Sequence, residues 1–119
     1  MAWEIEFSDV FQAYMDEIFL NNYPLHYEID VALMVLEAKG PYLRRPYAAD
    51  IKNSPSGKLL ELIVQFRGAP YRIFYRFDND RIAVILIGEM KTDGKKFYKK
   101  YIPIAERIYE EHIRKRRQV

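Results

Sequence analysis

The chain has 119 residues, half of them hydrophobic and 17 of them Phe or Tyr, enough for one domain over residues 1–119 whose core needs neither metal nor cross-link. It has no cysteine, which excludes disulfides, thiol catalysis and the soft ligands of a zinc site. The net charge of +2 is unevenly spread: residues 1–38 hold eight acids and no Lys or Arg, and residues 39–119 hold nineteen basic residues against nine acids, the pattern of a polyanion-facing part and a separate acidic part.

In chain order, residues 2–7 (AWEIEF) alternate apolar and acidic, so Trp3, Ile5 and Phe7 share one side of a short strand. Ser8 is the expected N-cap of a helix over 9–21, with Asp9 in its first turn and a broad stripe from Val10 to Phe19. Asn21 and Asn22 stop it. Pro24 opens a second helix over 25–39, apolar around most of its circumference, which is either sandwiched between the first helix and the sheet or open to a partner. Gly40 is its expected C-cap, and residues 41–58, with three prolines, read as a basic-edged loop carrying Arg44, Arg45, Lys52 and Lys58.

Residues 59–87 then predict three strands in an antiparallel meander, because the breaks at Gly68 and Pro70 and at residues 78–80 are too short for a parallel crossover. Pairing Arg67 with Arg72 across a Gly-Ala-Pro-Tyr turn puts Leu60, Leu62, Val64, Phe66, Ile73, Tyr75 and Phe77 on one apolar face, joined by Ile82, Val84 and Leu86. The other face holds Gln65, Arg67, Arg72, Phe74 and Arg76, which is either solvated with stray ion pairs or turned to an anion. With the N-terminal strand added, the expectation is an α+β fold: a four-stranded, mainly antiparallel sheet, the two N-terminal helices on its Val64/Tyr75 face, and a C-terminal helix beginning near Pro103.

Before that helix, Lys91, Lys95, Lys96, Lys99 and Lys100 are interleaved with Phe97, Tyr98 and Tyr101, the mixture that single-stranded nucleic acid favours because bases stack while phosphates pair. Packing of Tyr98 on the final helix is the competing account. Arg114 to Arg117 read as a frayed basic tail. The two histidines, His26 and His112, lie on different helices, and there is no phosphate loop, serine elbow or Cys–His pair, so no metal or cofactor is expected. Without a signal peptide or a run of about 18 apolar residues, the reading is a cytoplasmic chain with no membrane segment.

Several stretches in this order resemble the RelE/ParE superfamily of bacterial toxins, in its phage Gp49-like, HigB-type branch. They are Trp3-Glu4-Ile5-Glu6-Phe7, Leu43-Arg44-Arg45-Pro46, Leu60-Glu61-Leu62, Phe66-Arg67-Gly68, Tyr71-Arg72-Ile73-Phe74-Tyr75, Lys91, Phe97-Tyr98 and Ile102-Pro103-Ile104-Ala105-Glu106. The resemblance implies a RelE-like fold and the toxin of a type II toxin–antitoxin system. Its activity would be that of a ribosome-dependent mRNA endoribonuclease working through the RNA 2′-OH without metal, restrained by a helix-turn-helix, HigA-like antitoxin. It implies Arg67, Arg72, Lys91 and Tyr98 as catalytic residues. Arg44, Arg45, Arg76, Lys95, Lys96, Lys99 and Lys100 are the expected contacts to ribosome and mRNA.

On this expectation Arg67 and Arg72 clamp the phosphate, and Tyr98, its pKa lowered by the surrounding lysines, is the base. The chain departs from the family in carrying Ile63 where many relatives have arginine, and in lacking the C-terminal Asp and His of some HigB toxins. Two other functions stay open: a ParE-like inhibitor of DNA gyrase, worked by the helical half, and an inactive remnant that only binds its antitoxin.

Overall fold

The structure, a computed structural model, describes residues 2–117. The elements run β1 (Ile5–Phe7), α1 (Asp9–Asn21), α2 (Tyr23–Lys39), a 3-10 turn (Gly40–Tyr42), β2 (Ala48–Asp50), β3 (Leu60–Phe66), β4 (Ala69–Phe77), β5 (Ala83–Met90) and α3 (Gly94–Arg117). The strands form one mixed sheet in the order β1-β5-β4-β3-β2, with β1 parallel to β5 and the remaining pairs antiparallel. Helices α1 and α2 pack on one face, over Leu62, Val64, Ile73, Tyr75 and Ile85. Helix α3 covers the other, over Phe74, Val84 and Leu86.

The local reasons are those that the residues announce. The Ser8 hydroxyl accepts from the Phe11 N–H at 3.0 Å and donates to the Leu86 carbonyl at 2.8 Å, capping α1 and fastening it to β5. Asn22 alone separates α1 from α2: its N–H bonds the Ile18 carbonyl, and its side chain accepts from Leu25. Gly40 ends α2 at φ +55°, and a Cβ there would lie 2.4 Å from Cγ of Trp3, so the turn needs glycine for both conformation and space.

Five expectations are corrected. The sheet has five strands, not four, because Ala48–Asp50 pairs with β3, Ala48 opposite Leu62. Three residues with two alanines carry no alternating pattern, so hydrogen bonding alone makes this a strand. Second, Arg67 does not pair with Arg72. The turn is the two-residue Arg67–Gly68, with φ +50° and +82°, and it sets Phe66 opposite Ala69 and Ile63 opposite Arg72. Two consecutive left-handed residues match the twist of a hairpin, and Gly68 supplies one without strain.

Third, it is Ala83 and Ile85 of β5 that join the Tyr75 face, whereas Val84 and Leu86 turn to α3. Phe77 pairs with Ala83, and a bulge between Phe74 and Tyr75 shifts the register along the pair. Fourth, the last helix begins at Gly94 and runs through Pro103, so the basic–aromatic stretch is its opening turns. It therefore covers Phe74, Arg72 and Arg76, so the face expected to be either solvated or turned to an anion is largely packed under a helix. Fifth, Arg114 to Arg116 are no frayed tail: Arg116 binds Asp78, and Glu6 at 2.6 Å, while Lys115 binds Asp9 at 2.7 Å; the Arg117 side chain lies outside the described part.

Candidate functional site

A cleft of about 830 Å³ opens between the segment after β2, strand β3 and the first half of α3. Five cations line it, Arg45, Lys52, Lys91, Lys95 and Lys99, together with apolar Ile51, Pro55, Ile102 and Pro103. Glu61 and Tyr98 also face into it. The Asp93 carboxylate accepts from the Lys96 N–H at 3.3 Å in the first turn of α3, and Phe97 is buried against Phe74 with ring centroids 5.9 Å apart. That anchorage carries the neighbouring Tyr98 to the cleft.

The Tyr98 hydroxyl donates to Glu61 Oε1 at 2.6 Å. Arg72 Nε lies 3.4 Å from the same oxygen, close enough for an ion pair though not aimed as a hydrogen bond, and its Nη1 donates to the Tyr71 carbonyl at 3.1 Å. Glu61 is only 6% exposed although it stands at the wall of the cleft, so these two partners rather than solvent meet its carboxyl group. Burial, followed by the hydrogen bond and charge of Glu61, pushes the Tyr98 phenol up to about 12, against a smaller opposing pull from Arg72. The expectation of a lowered Tyr98 pKa is thereby reversed: burial first and the Glu61 carboxylate second raise it, whatever lysines stand beside it in sequence. Lys91 Nζ stands 5.4 Å from the centroid of the Tyr98 ring.

Of the predicted residues, the cleft brings together Lys91, Tyr98, Arg45, Lys95 and Lys99, with Arg72 behind Glu61. Arg67 is absent from this group. It sits in the β3–β4 turn over the Phe66 ring at 4.9 Å, about 20 Å along the strand from Glu61. Arg76 is committed elsewhere, its Nη1 3.2 Å from Glu106 Oε1 and its guanidinium carbon 3.9 Å from the Tyr109 ring centroid. Arg44 donates to the Pro41 and Leu43 carbonyls at 2.6 and 2.9 Å. Lys96 and Lys100 lie on α3 outside the cleft lining, Lys100 at 5.1 Å from the Tyr101 ring.

Two cleft residues have no site role in the sequence reading: Glu61, and Lys52, which is placed only on a basic loop edge. A signal for Glu61 is in the sequence: a lone acid between Leu60 and Leu62, in a strand whose other polar residue is the exposed Gln65, has to find a buried partner. Among the described residues no group of three or more His, Asp or Glu side chains is placed to hold a metal ion.

A family model described as "Phage derived protein Gp49-like" matches residues 24–110, a range that contains every cleft residue named above. Over 76 residues the chain is 36% identical to "Putative toxin HigB3" of Mycobacterium tuberculosis (strain ATCC 25618 / H37Rv). That alignment takes in 63% of this chain and 65% of the relative, so it spans just under two thirds of the relative's length. No solved structure matches.

Proposed function

Since this chain belongs to the phage-derived Gp49-like family, we propose that it is the toxin of a toxin–antitoxin pair, built on a RelE-like fold, and that its cleft cuts mRNA held on the ribosome. One observation carries the chemistry: a buried carboxylate, Glu61, hydrogen-bonded by Tyr98 and ion-paired with Arg72 at the wall of a cleft lined with cations.

RNA cleavage through the 2′-OH needs a base for that proton, positive charge for the phosphorane and a proton for the departing 5′-oxygen. In this reading Glu61 takes the 2′-proton as O2′ bonds to phosphorus. The P–O5′ bond breaks, leaving a 2′,3′-cyclic phosphate and a 5′-hydroxyl. Tyr98, neutral at physiological pH, is a poor base; its hydroxyl holds Glu61 in place, replacing the role expected from sequence. Arg72 does not line the cleft, so it acts by positioning Glu61 rather than by gripping phosphate. Lys91, at the Tyr98 ring, meets the developing charge and supplies the proton to the 5′-oxygen. Arg45, Lys52, Lys95 and Lys99 bind flanking phosphates, and Ile51 and Ile102 offer apolar surface to a base. The antitoxin partner, of HigA-like helix-turn-helix type, restrains this activity.

The test is induced expression in a bacterial host with mapping of mRNA 5′ ends. The proposal expects growth arrest with cuts confined to translated messages, and loss of both with Glu61→Gln. One feature favours a second reading, the exposed apolar face of α1 and α2, which would serve a ParE-like gyrase inhibitor. Arrest with intact mRNA and blocked supercoiling would put that reading in place of the first.

A further inference from the structure

Helix α2 buries Leu25, Ile29, Leu33 and Leu36, yet its outer side is not the charged surface that such a helix normally shows. Tyr23, Tyr27, Val31 and Met34 follow one another at helical spacing and are 55%, 57%, 39% and 67% exposed. At the end of α1, Phe19 continues the band, its ring 5.4 Å from that of Tyr23. The charges lie along the flanks. A groove of about 450 Å³ between the helices holds Asp16 and Asp30 beside Phe19, and the groove on the other side of α2 holds Glu28 beside Tyr23 and Tyr27, with Arg67 at its rim. Among the described residues none of these three carboxylates holds an ion pair. The one-residue link at Asn22 fixes the two helices as a rigid hairpin, so little order has to be created on binding.

We propose that this face docks a basic amphipathic helix of a partner protein, its apolar stripe on Tyr27 and Met34 and its Lys or Arg residues reaching Asp16 and Asp30. Charge selects this occupant. A second copy, meeting the first about a two-fold axis, would set the same carboxylates against each other, and a nucleic acid would meet them with phosphates. A straight stripe between two grooves matches a helix, whose anchors recur at the same spacing. In the toxin reading such a helix belongs to the antitoxin, but the face is remote from Glu61 and stands or falls independently of the cleft chemistry.

The experiment is selection of phage-displayed helical peptides on the purified chain, followed by binding measurements on the enriched sequences. The expected winners carry net positive charge and an apolar i, i+4 stripe. Met34→Lys weakens them by about tenfold or more, and the Asp16→Lys/Asp30→Lys pair weakens them at about 50 mM salt much more than at about 500 mM. Lys99→Ala, on the opposite side of the sheet, leaves them within about twofold. Thermal melting checks that each variant folds, and Tyr27→Ser serves if Met34→Lys does not. Acidic or uncharged winners, no winners, or binding indifferent to Met34→Lys and Tyr27→Ser would overturn the proposal. So would a dimer of the free chain that Met34→Lys dissociates, since the occupant would then be a second copy.

Discussion

At the scale of single residues, the account turns on one hydrogen bond. Tyr98 stands among lysines in the sequence and against Glu61 in space, 37 positions away, and burial, seconded by that carboxylate, sets its titration. A phenol raised from 10.0 to about 12 in the folded state favours the neutral form. Its contribution to stability is therefore fully present below about pH 10 and is lost as pH rises towards 12. The difference between wild type and Tyr98→Phe in a spectrophotometric phenolate titration should accordingly show no ionisation near pH 10, with the Tyr98 signal emerging only above about 11. A normal tyrosine step near 10 in that difference would break the Glu61–Tyr98 assignment. Sequence made the ingredients visible but not their partners: Lys91, Lys95, Lys99 and Tyr98 were recognisable as a basic–aromatic cluster, whereas nothing local ties Tyr98 to Glu61 or separates Arg67 from Arg72.

At the scale of elements, the helices were legible because their ends are written in side chains, and the sheet less so because register depends on turns. Ser8, Asn22 and Gly40 bound α1 and α2 where the residues predicted, and the apolar stripe of each helix faces the sheet. Gly68 announced a turn without saying whether it held two residues or four, and that choice alone moved Arg72 from opposite Arg67 to opposite Ile63. β2 was illegible since alanines have no pattern, and Pro103 was misread as a helix start because it sits inside a helix that packing stabilises. Two measurements belong here. Gly40→Ala has to place a Cβ inside the Trp3 ring at positive φ, and should cost about 2–4 kcal/mol in chemical denaturation. Arg116→Ala removes the cation that binds Glu6 and Asp78. Burial raises the pKa of both carboxyls, but Arg116, helped at Glu6 by His112 and at Asp78 by backbone N–H groups, outweighs it and leaves both lowered. Their stabilisation is present above the ordinary carboxylate range and fades as pH falls below it. The Arg116→Ala deficit, about 1–3 kcal/mol at neutral pH, should thus shrink below about pH 4.

At the scale of the whole molecule, charge and shape divide the chain into two surfaces back to back across the sheet. The α3 side carries the cation-lined cleft; the α1–α2 side carries Asp16, Glu28 and Asp30 and the exposed apolar stripe. The lopsided charge read from the sequence is thus a property of opposite faces, and it implies separable functions. Lys99→Ala should weaken ribosome binding and lower the slope of log affinity against log salt by roughly one, with the chemical step nearly unchanged, as salt titration of binding beside single-turnover rates will show. The most direct test of the account is single-turnover cleavage of ribosome-bound mRNA at saturating protein, comparing wild type, Glu61→Gln and Tyr98→Phe. The account predicts cleavage by the wild type, a loss of about a hundredfold or more with Glu61→Gln, and a loss of no more than about tenfold with Tyr98→Phe, which keeps the ring and removes only a positioning bond. Cleavage by Glu61→Gln at the wild-type rate, or no cleavage by the wild type itself, would contradict it.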